Sequence, residues 1–329
     1  MRENFLTVSE VSSNPAIAGR PPWRIASRLN SFRQPGVSTA EAIRRQARVT
    51  GLTALELNFP RHVLDFGKGE LDALLIETGL PMTALNLRLD DLTFRRGAFT
   101  APEQQTRLEA RRIAQDAVDC AARYSAGHVV LWMADDGWDY PFQTDYGAIW
   151  QAEIEGFRSV ADRNPAIRVS VEYKPREPRR FSLIRSMADA LLAANEVNRP
   201  NFGVTIDVCH SYMAGEHPPA AAAAALAAGK LFGVHLNDGY GPADDGLIVA
   251  SVHQRDTLEL IHVLKSGSYD GTIYFDTFPI REEPEEELAA NIATVQRLLR
   301  RLDHVNLTEL TAAQSAQDAL AVARVLGAE

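Results

Sequence analysis

Four segments of the chain have the apolar composition of buried strands, and each ends at a residue able to bind a divalent metal. These ends are Glu172 in Val-Ser-Val-Glu, Asp207 in Val-Thr-Ile-Asp, His235 in Phe-Gly-Val-His and Asp276 in Ile-Tyr-Phe-Asp. Consecutive ends lie 35, 28 and 41 residues apart, and each interval is about the length of one strand followed by one helix. Because strands in such repeats run parallel, we expect the four side chains to meet at one edge of a sheet.

Short apolar runs alternate with longer amphipathic stretches along the chain, which is the pattern of βα repeats. We count eight candidate strands, at residues 24–30, 53–58, 82–87, 128–133, 167–173, 202–207, 231–236 and 271–276. Eight such units predict an α/β fold, the (β/α)8 TIM barrel. The predicted organisation is an N-terminal extension at 1–20, a barrel domain at 21–304 and a C-terminal helical extension at 305–329, which we expect to form one extra helix.

Composition excludes several classes of function. The chain has 329 residues and a formal net charge of −9 at pH 7, which argues against binding to the phosphate backbone of nucleic acids. No run approaches the roughly 20 apolar residues of a membrane-spanning helix, and the N-terminus lacks the apolar core of a signal peptide. The two cysteines, Cys120 and Cys209, favour a reducing, cytoplasmic setting.

The strand pattern predicts which side chains face the barrel interior. Alternate residues of a strand share a face, which gives one inward set: Ser170, Glu172, Lys174, Thr205, Asp207, Thr272, Tyr274 and Asp276. Carboxylates at the carboxyl ends of barrel strands usually belong to a site. One glutamate, two aspartates and one histidine form a mixed oxygen and nitrogen ligand set, which suits Mn²⁺ first, and also Co²⁺ or Mg²⁺.

A second group of candidate ligands follows the first along the chain. His210 lies three residues after Asp207, and the acidic pair Asp244 and Asp245 follows His235 in a glycine-rich loop. With Glu172 as a bridge, His210 and one of the two aspartates could hold a second ion, so two-metal chemistry is predicted. The sequence leaves open which aspartate takes part.

Other candidate residues belong to the substrate pocket. Lys174 follows Glu172 on the same strand face, where its ammonium can polarise a substrate oxygen or pair with the carboxylate. Trp132, Trp138 and Phe142 in the loop after the fourth strand can stack on a small-molecule ligand, because aromatic rings offer apolar surface. Asn86 on the third strand is a further candidate.

Several motifs of the chain resemble those of one known group of enzymes. Glu172-Tyr-Lys-Pro, Asp207-Val-Cys-His, His235-Leu-Asn-Asp with its acidic loop, the strand end at Asp276, and the segment 131–143 resemble the bacterial L-rhamnose isomerase group. That group belongs to the xylose-isomerase-like TIM-barrel superfamily. The resemblance covers most of residues 23–300.

The resemblance implies a structural metal held by Glu172, Asp207, His235 and Asp276. It also implies a catalytic metal held by Glu172, His210 and the loop acids, with Lys174 near the reacting end of the sugar. The expected contacts to the sugar are Trp132, Trp138, Phe142 and Asn86. The expected reaction is the interconversion of an aldose and a ketose by hydrogen transfer between C1 and C2. The expected partners are a small sugar and other copies of the chain, in a dimer or tetramer.

Other interpretations of the same barrel stay open. A ketose 3-epimerase uses one metal and two facing glutamates, whereas the eighth strand here ends at Asp276. A metal-dependent lyase acting on oxidised glycosides, a DNA-repair endonuclease and a binding protein without enzymatic activity are the remaining alternatives.

Overall fold

A computed structural model, which describes residues 21–89 and 91–327, contains one sheet of eight parallel strands. We number these strands β1 to β8 in chain order: β1 Ile25–Ser27, β2 Leu55–Phe59, β3 Met82–Arg88, β4 His128–Trp132, β5 Arg168–Glu172, β6 Phe202–Asp207, β7 Leu231–Leu236 and β8 Ile273–Phe275. Neighbouring strands pair in the order β1, β8, β7, β6, β5, β4, β3, β2. The first and second strands of the chain therefore lie at the two ends of this order, and the sheet curves into a barrel that brings them together.

Strands β1 and β2 meet at the seam of the barrel. The backbone N–H groups of Thr53 and Ala54 both donate to the carbonyl of Ile25 at 3.0 Å. The backbone N–H of Ile25 donates in turn to Oγ1 of Thr53 at 2.7 Å. These bonds leave the barrel nearly closed, which confirms the predicted TIM-barrel fold.

Helices surround the strands and carry the chain from one strand to the next. They are α1 Thr39–Ala47, α2 Arg61–Leu64, α3 Glu70–Thr78, α4 Gln104–Arg123, α5 Tyr146–Ala161, α6 Met187–Val197, α7 Val208–Met213, α8 Pro218–Ala227, α9 Gln254–Ser266, α10 Pro284–Asp303, α11 Leu307–Ser315 and α12 Ala319–Leu326. Short 3-10 helices at Leu29–Phe32 and Leu92–Phe94 follow β1 and β3. Within residues 21–89 and 91–327, no helix is both long and apolar enough to cross a membrane.

A polar layer fills the centre of the barrel beneath the strand ends. Oγ of Ser170 lies 2.6 Å from Oγ1 of Thr205 and 2.7 Å from Nε2 of His128. Burial, helped by the charges of His235 and Arg168, lowers the pKa of His128 to about 3, so its ring is neutral near pH 7. Gly233 leaves the space that the Thr205 side chain occupies. This layer supports the strand ends from below.

The predicted strands match the observed ones best in the second half of the barrel. The predictions for β6 at 202–207 and β7 at 231–236 coincide with the observed bounds. The prediction for β1 ran too far, because the chain turns into a 3-10 helix at Leu29. At the other end of the chain, Asp318 caps a separate helix through a bond to the N–H of Ala321.

The C-terminal segment thus forms two helices where the sequence predicted one. The predicted N-terminal extension at 1–20 lies outside the described residues, and the division into domains stays a prediction.

Candidate metal centre

The four predicted strand-end ligands converge at the carboxyl edge of the barrel. Glu172 and Asp207 are the last residues of β5 and β6, His235 lies near the end of β7, and Asp276 follows β8 directly. Candidate ligand atoms of all four lie within 4.8 Å of one another. Their exposed fractions are 3% or less, apart from 5% for Asp276. Parallel pairing of neighbouring strands brings these distant positions to one point.

Several polar atoms of this cluster have no hydrogen-bond partner among the described residues. They are both carboxylate oxygens of Glu172, both ring nitrogens of His235 and Oδ1 of Asp276. Buried polar groups nearly always find a partner, so such a group of atoms fits an ion bound between them. Carboxylate oxygens and an imidazole nitrogen suit a divalent cation. We name these four residues the strand-end cluster.

A second cluster lies beside the first. Asp207, His210 and Asp244 also offer ligand atoms within 4.8 Å of one another. Nε2 of His210 lies 3.2 Å from Oδ2 of Asp244, and Nδ1 lies 3.5 Å from Oε1 of Glu172. The sequence predicted Glu172 as the bridge between two ions, whereas Asp207 is the residue that belongs to both clusters. We name this group the loop cluster.

The position of His210 follows from the start of helix α7. Asp207 is the N-cap residue of this helix, and its Oδ1 accepts a bond from the backbone N–H of His210 at 2.9 Å. An N-cap side chain normally bonds to the second or third residue after it. Nδ1 of His210 lies 3.1 Å from the carbonyl of Tyr173, which directs Nε2 toward Asp244. The Asp-x-x-His spacing therefore sets the geometry of the loop cluster.

Charges within the two clusters shift the pKa of each group. Burial raises the pKa of Asp207 to about 7, and the neighbouring carboxylates add to this effect. Burial is the largest single effect on Glu172 and disfavours its charged form, but the interactions with His235, Arg88 and His210 together outweigh burial and lower the pKa of Glu172 to about 2. Burial opposes protonation of both histidines, yet the carboxylates raise the pKa of His210 and of His235 to about 9. The carboxylates therefore attract positive charge, which protons or a metal can supply.

Asn237 holds the carboxylate of Asp207 in place. Its Nδ2 donates to both carboxylate oxygens, at 3.2 and 3.0 Å, and to the backbone carbonyl of Asp276 at 3.1 Å. Its Oδ1 accepts a bond from the backbone N–H of Cys209 at 2.8 Å. Groups behind metal ligands commonly orient them in this way. The sequence analysis missed this residue, although it lies two positions after His235.

Lys174 lies where the sequence predicted it, beside the two clusters. Its Nζ donates to Oδ2 of Asp244 at 2.9 Å and lies 3.2 Å from Oε2 of Glu177. Burial lowers the pKa of Lys174, but the two carboxylates more than offset this and leave its pKa above the ordinary value. The ammonium also lies 5.7 Å from the centre of the Trp132 ring. Lys174 therefore stays protonated next to the loop cluster.

The structure brings Asp244 into the loop cluster and turns Asp245 away from it. Oδ2 of Asp245 accepts a bond from the backbone N–H of Tyr240 at 2.7 Å. The prediction that Asp245 binds metal or takes part in catalysis therefore has no geometric support, because its carboxylate closes the turn of its own loop. Asp244 is the acid that faces His210 and Lys174.

A cavity of about 150 Å³ opens above the two clusters. It is lined by Arg28, Asn30, Asn58, Arg61, Arg88, Trp132, Glu172, Lys174, His210, Asp244, Asp276 and Phe278. Trp132 is thus the predicted sugar contact that the structure places in the cavity wall.

The other three predicted sugar contacts lie away from this cavity. Trp138 belongs to a short antiparallel ribbon in which Gly137–Trp138 pairs with Phe181–Ser182. Its ring stacks on that of Phe181, with the two ring centres 5.7 Å apart. The side chain of Phe142 is fully exposed to solvent. Asn86 points into the barrel interior, where its Nδ2 donates to Oε2 of Glu56 at 3.4 Å. These three predictions therefore lack support from the geometry.

The first half of the barrel supplies polar cavity residues that were not predicted from the sequence. Arg28 follows β1 directly, Asn58 lies near the end of β2, and Arg88 is the last residue of β3. Each is a polar side chain at the carboxyl end of a strand, which is the same signal that predicted the residues of the strand-end cluster. These positions were not predicted because only carboxylates and histidines at strand ends were considered as ligands.

The sequence pattern of the xylose isomerase-like TIM barrel family matches residues 44–302. The chain belongs to this family. A curated relative, the xylose isomerase of Thermus thermophilus, is 32% identical over 220 residues, which cover 64% of this chain and 57% of the relative. The matched region therefore spans little more than half of that relative's length.

Solved structures of other proteins share the barrel fold. A xylose isomerase domain protein from Alicyclobacillus acidocaldarius superposes with a TM-score of 0.65 at 19% identity, covering 84% of this chain and 98% of that chain. A D-tagatose 3-epimerase-like protein superposes with a TM-score of 0.68 at 15% identity, covering 85% and 99%. At these identities the likeness shows the fold alone.

Proposed function

We propose that the protein is a divalent-metal-dependent aldose–ketose isomerase that acts on a monosaccharide, similar to the L-rhamnose isomerase group. One observation carries this proposal: two adjoining clusters of ligand residues lie at the floor of one small cavity. Membership of the xylose isomerase-like TIM barrel family supports a reaction on sugars. Two adjacent metal sites are a known arrangement for binding two oxygen atoms of the reacting groups at once.

We further propose Mn²⁺ as the preferred ion, with Co²⁺ or Mg²⁺ as substitutes, and two ions per subunit. The strand-end cluster would hold one ion and the loop cluster the other, with Asp207 and Glu172 between them. When bound, the cations act as Lewis acids that stabilise negative charge on the oxygens at C1 and C2. Their buried ligands exclude bulk water, which strengthens electrostatic interactions in the site.

The chain's own side chains position the sugar. The protonated Nζ of Lys174 can donate a hydrogen bond to a substrate oxygen next to the loop cluster. Trp132 offers its ring to the apolar carbon face of the sugar. Asp244 keeps the ammonium of Lys174 fixed through their bond of 2.9 Å, so the donor is in place before the substrate arrives. Such pre-positioned donors lower the barrier without reorganisation during the reaction.

A ketose 3-epimerase is the second candidate. The strand-end cluster is complete for a single ion, and the 3-epimerase-like protein has the same fold. An epimerase of this type needs two facing glutamates as acid and base, and the eighth strand here supplies the shorter Asp276. Since the loop cluster adds a second set of ligands, we favour the isomerase.

The test is a panel of aldoses and ketoses incubated with protein that has been stripped with EDTA and reloaded with Mn²⁺, Co²⁺ or Mg²⁺. Conversion of an aldose to a ketose supports the proposal, whereas inversion at C3 of a ketose alone supports the epimerase. The variants Glu172→Gln and His210→Asn should lose about 100-fold or more in kcat/KM. Full activity in both variants would show that the site is wrong.

Glu153→Gln is the matched control for Glu172→Gln. Burial, helped by the nearby Asp136, raises the pKa of Glu153 well above its ordinary value, and this buried glutamate belongs to neither metal cluster. This variant should therefore keep its activity.

A cytoplasmic location and a homo-oligomeric state stay proposals. The two unpaired cysteines support the location, and the exposed α12 helix supports the homo-oligomer.

A further inference from the structure

Three separate segments carry the side chains that meet at the carboxylate of Asp244. Lys174 lies just beyond β5, His210 lies in α7, and Asp244 lies in the loop of residues 238–247, which we name the acidic loop. Nζ of Lys174 donates to Oδ2 of Asp244 at 2.9 Å, and Nε2 of His210 lies 3.2 Å from the same oxygen. Lys174 and His210 extend from a strand and a helix, whereas the direction of Asp244 depends on the contacts that hold its loop.

Arg176 binds the acidic loop and the end of α7 at once. It lies two residues after Lys174 and is half-buried. Its Nη2 donates to the backbone carbonyls of Gly241 and Pro242, at 3.1 and 2.6 Å. Its Nη1 donates to the carbonyl of Met213, the last residue of α7, at 3.2 Å. Because a planar guanidinium offers several donors in fixed directions, one side chain joins all three segments.

Cys209 anchors the acidic loop on the other side of Asp244. Its Sγ accepts a bond from the backbone N–H of Asp245 at 3.3 Å, and its thiol donates to the carbonyl of Ala243 at 3.5 Å. The guanidinium reaches the loop at Pro242, two residues before Asp244. The backbone is thus held on both sides of Asp244, which fixes the direction in which its carboxylate leaves the loop.

The charge of Arg176 and its hydrogen bonds have opposite effects on a metal ion in the loop cluster. The charge opposes binding of the ion, because like charges repel. The hydrogen bonds go to backbone carbonyls, so they hold the path of the loop that carries Asp244. A group that orients a metal ligand raises the affinity for the metal. A measurement of metal affinity therefore separates the two effects.

We infer that Arg176 is a positioning residue, which holds the acidic loop so that Asp244 completes the loop cluster and binds the metal ion there. This inference rests on the proposed function, because it concerns one of the two proposed ions. Arg176 acts through the loop that carries Asp244, so its effect is on the affinity for metal before any sugar binds.

Calorimetric titration with Mn²⁺ measures this effect in wild-type protein, Arg176→Gln and Arg176→Lys. Both variants should weaken the binding step that Asp244→Asn removes by about 10- to 100-fold. The other step should stay unchanged, which also shows that the barrel is folded. Lysine keeps the charge but lacks the planar set of donors, so it should not restore binding. Arg158→Lys is the matched control, because Arg158 on α5 donates to the backbone carbonyls of Glu196 and Val197 at 2.8 and 3.4 Å. It should leave both steps unchanged.

Hydrogen exchange in EDTA tests the acidic loop without any metal. The backbone N–H groups of Tyr240 and Asp245 donate to the Asp245 carboxylate and to Sγ of Cys209, so their exchange reports on opening of the loop. Arg176→Lys should speed this exchange by about 10-fold or more, since each net hydrogen bond contributes roughly a factor of five. Arg158→Lys should not change it.

Unchanged exchange of the acidic loop in Arg176→Lys would overturn the inference. So would tighter Mn²⁺ binding in Arg176→Gln, since the charge of the arginine would then outweigh its hydrogen bonds. Two ions bound with equal affinities in wild-type protein and both variants refute the role of Arg176 and leave the proposed isomerase intact. A single ion in wild-type protein, by contrast, refutes the two-ion proposal and with it the role of Arg176 in metal binding.

Discussion

The amide of Asn237 should be essential both for the stability of the protein and for its affinity for metal. The side chain is fully buried and makes hydrogen bonds to the carboxylate of Asp207, the carbonyl of Asp276 and the N–H of Cys209. Asn237→Ala removes all of them. It leaves the N–H of Cys209 buried without this partner and frees the carboxylate of Asp207 to rotate.

The magnitude follows from these bonds. A net hydrogen bond contributes about 1 kcal/mol, one to a charged group somewhat more, and a buried N–H left unsatisfied costs about 1–3 kcal/mol. We expect the free energy of unfolding of the metal-free protein to fall by about 3–5 kcal/mol. Loss of a group that orients a metal ligand should weaken Mn²⁺ binding by about 10- to 100-fold.

Asn201→Ala is the matched control. Asn201 is a buried asparagine just before β6, and its Nδ2 donates to the carbonyls of Ala161 and Ile167 at 2.9 and 3.0 Å. Urea unfolding in EDTA should show comparable losses of stability for the two variants. Calorimetric titration with Mn²⁺ should show weaker binding for Asn237→Ala alone. Wild-type affinity in Asn237→Ala, or an equal loss in Asn201→Ala, would refute the positioning role.

Three further predictions concern protons, packing and the acidic loop. Since His210 and His235 have a pKa of about 9 and Asp207 one of about 7 without metal, Mn²⁺ binding near pH 7 should release about two to three protons and tighten as the pH rises toward 9. Calorimetry in buffers of different ionisation enthalpy measures this release, and binding independent of pH would contradict the prediction. Gly233→Ala should lower the free energy of unfolding, measured in urea, by about 1–3 kcal/mol, because the added Cβ would lie very close to Oγ1 of Thr205. The control Gly127→Ala places its Cβ in open space and should lower the free energy of unfolding by less. Asp244→Asn should reduce the number of bound Mn²⁺ ions from two to one, whereas Asp245→Asn should leave two. The reverse result would show that Asp245, and not Asp244, is the metal ligand of the loop.

Strand patterning predicted the four residues that meet in the strand-end cluster, because both the apolar run of a strand and the polar residue at its end can be read from the local sequence. Val-Thr-Ile-Asp around Asp207 combines a buried strand with a polar end, and parallel pairing then brings such ends together. His210 followed in the same way from its spacing after Asp207, which the N-cap of α7 fixes.

Other features depend on contacts that local sequence does not record. Asp244 and Asp245 are neighbours of the same type, and only the path of their loop directs the first toward His210. Trp138 pairs through its ribbon with Phe181, far along the chain, which removes it from the cavity. Arginines and asparagines such as Arg88 and Asn237 are common on protein surfaces, so their residue type alone gave no indication of a site.

Metal-dependent interconversion of an aldose and a ketose is measured by following one sugar in a single reaction, with chromatography of quenched aliquots. A substrate found in the panel is incubated with Mn²⁺-loaded protein, then with EDTA added, and then with excess Mn²⁺ added. We predict that aldose and ketose interconvert, that EDTA stops the conversion, and that Mn²⁺ restores it. Interconversion that continues unchanged after complete metal removal, or inversion at C3 without any change between aldose and ketose, would contradict the claim.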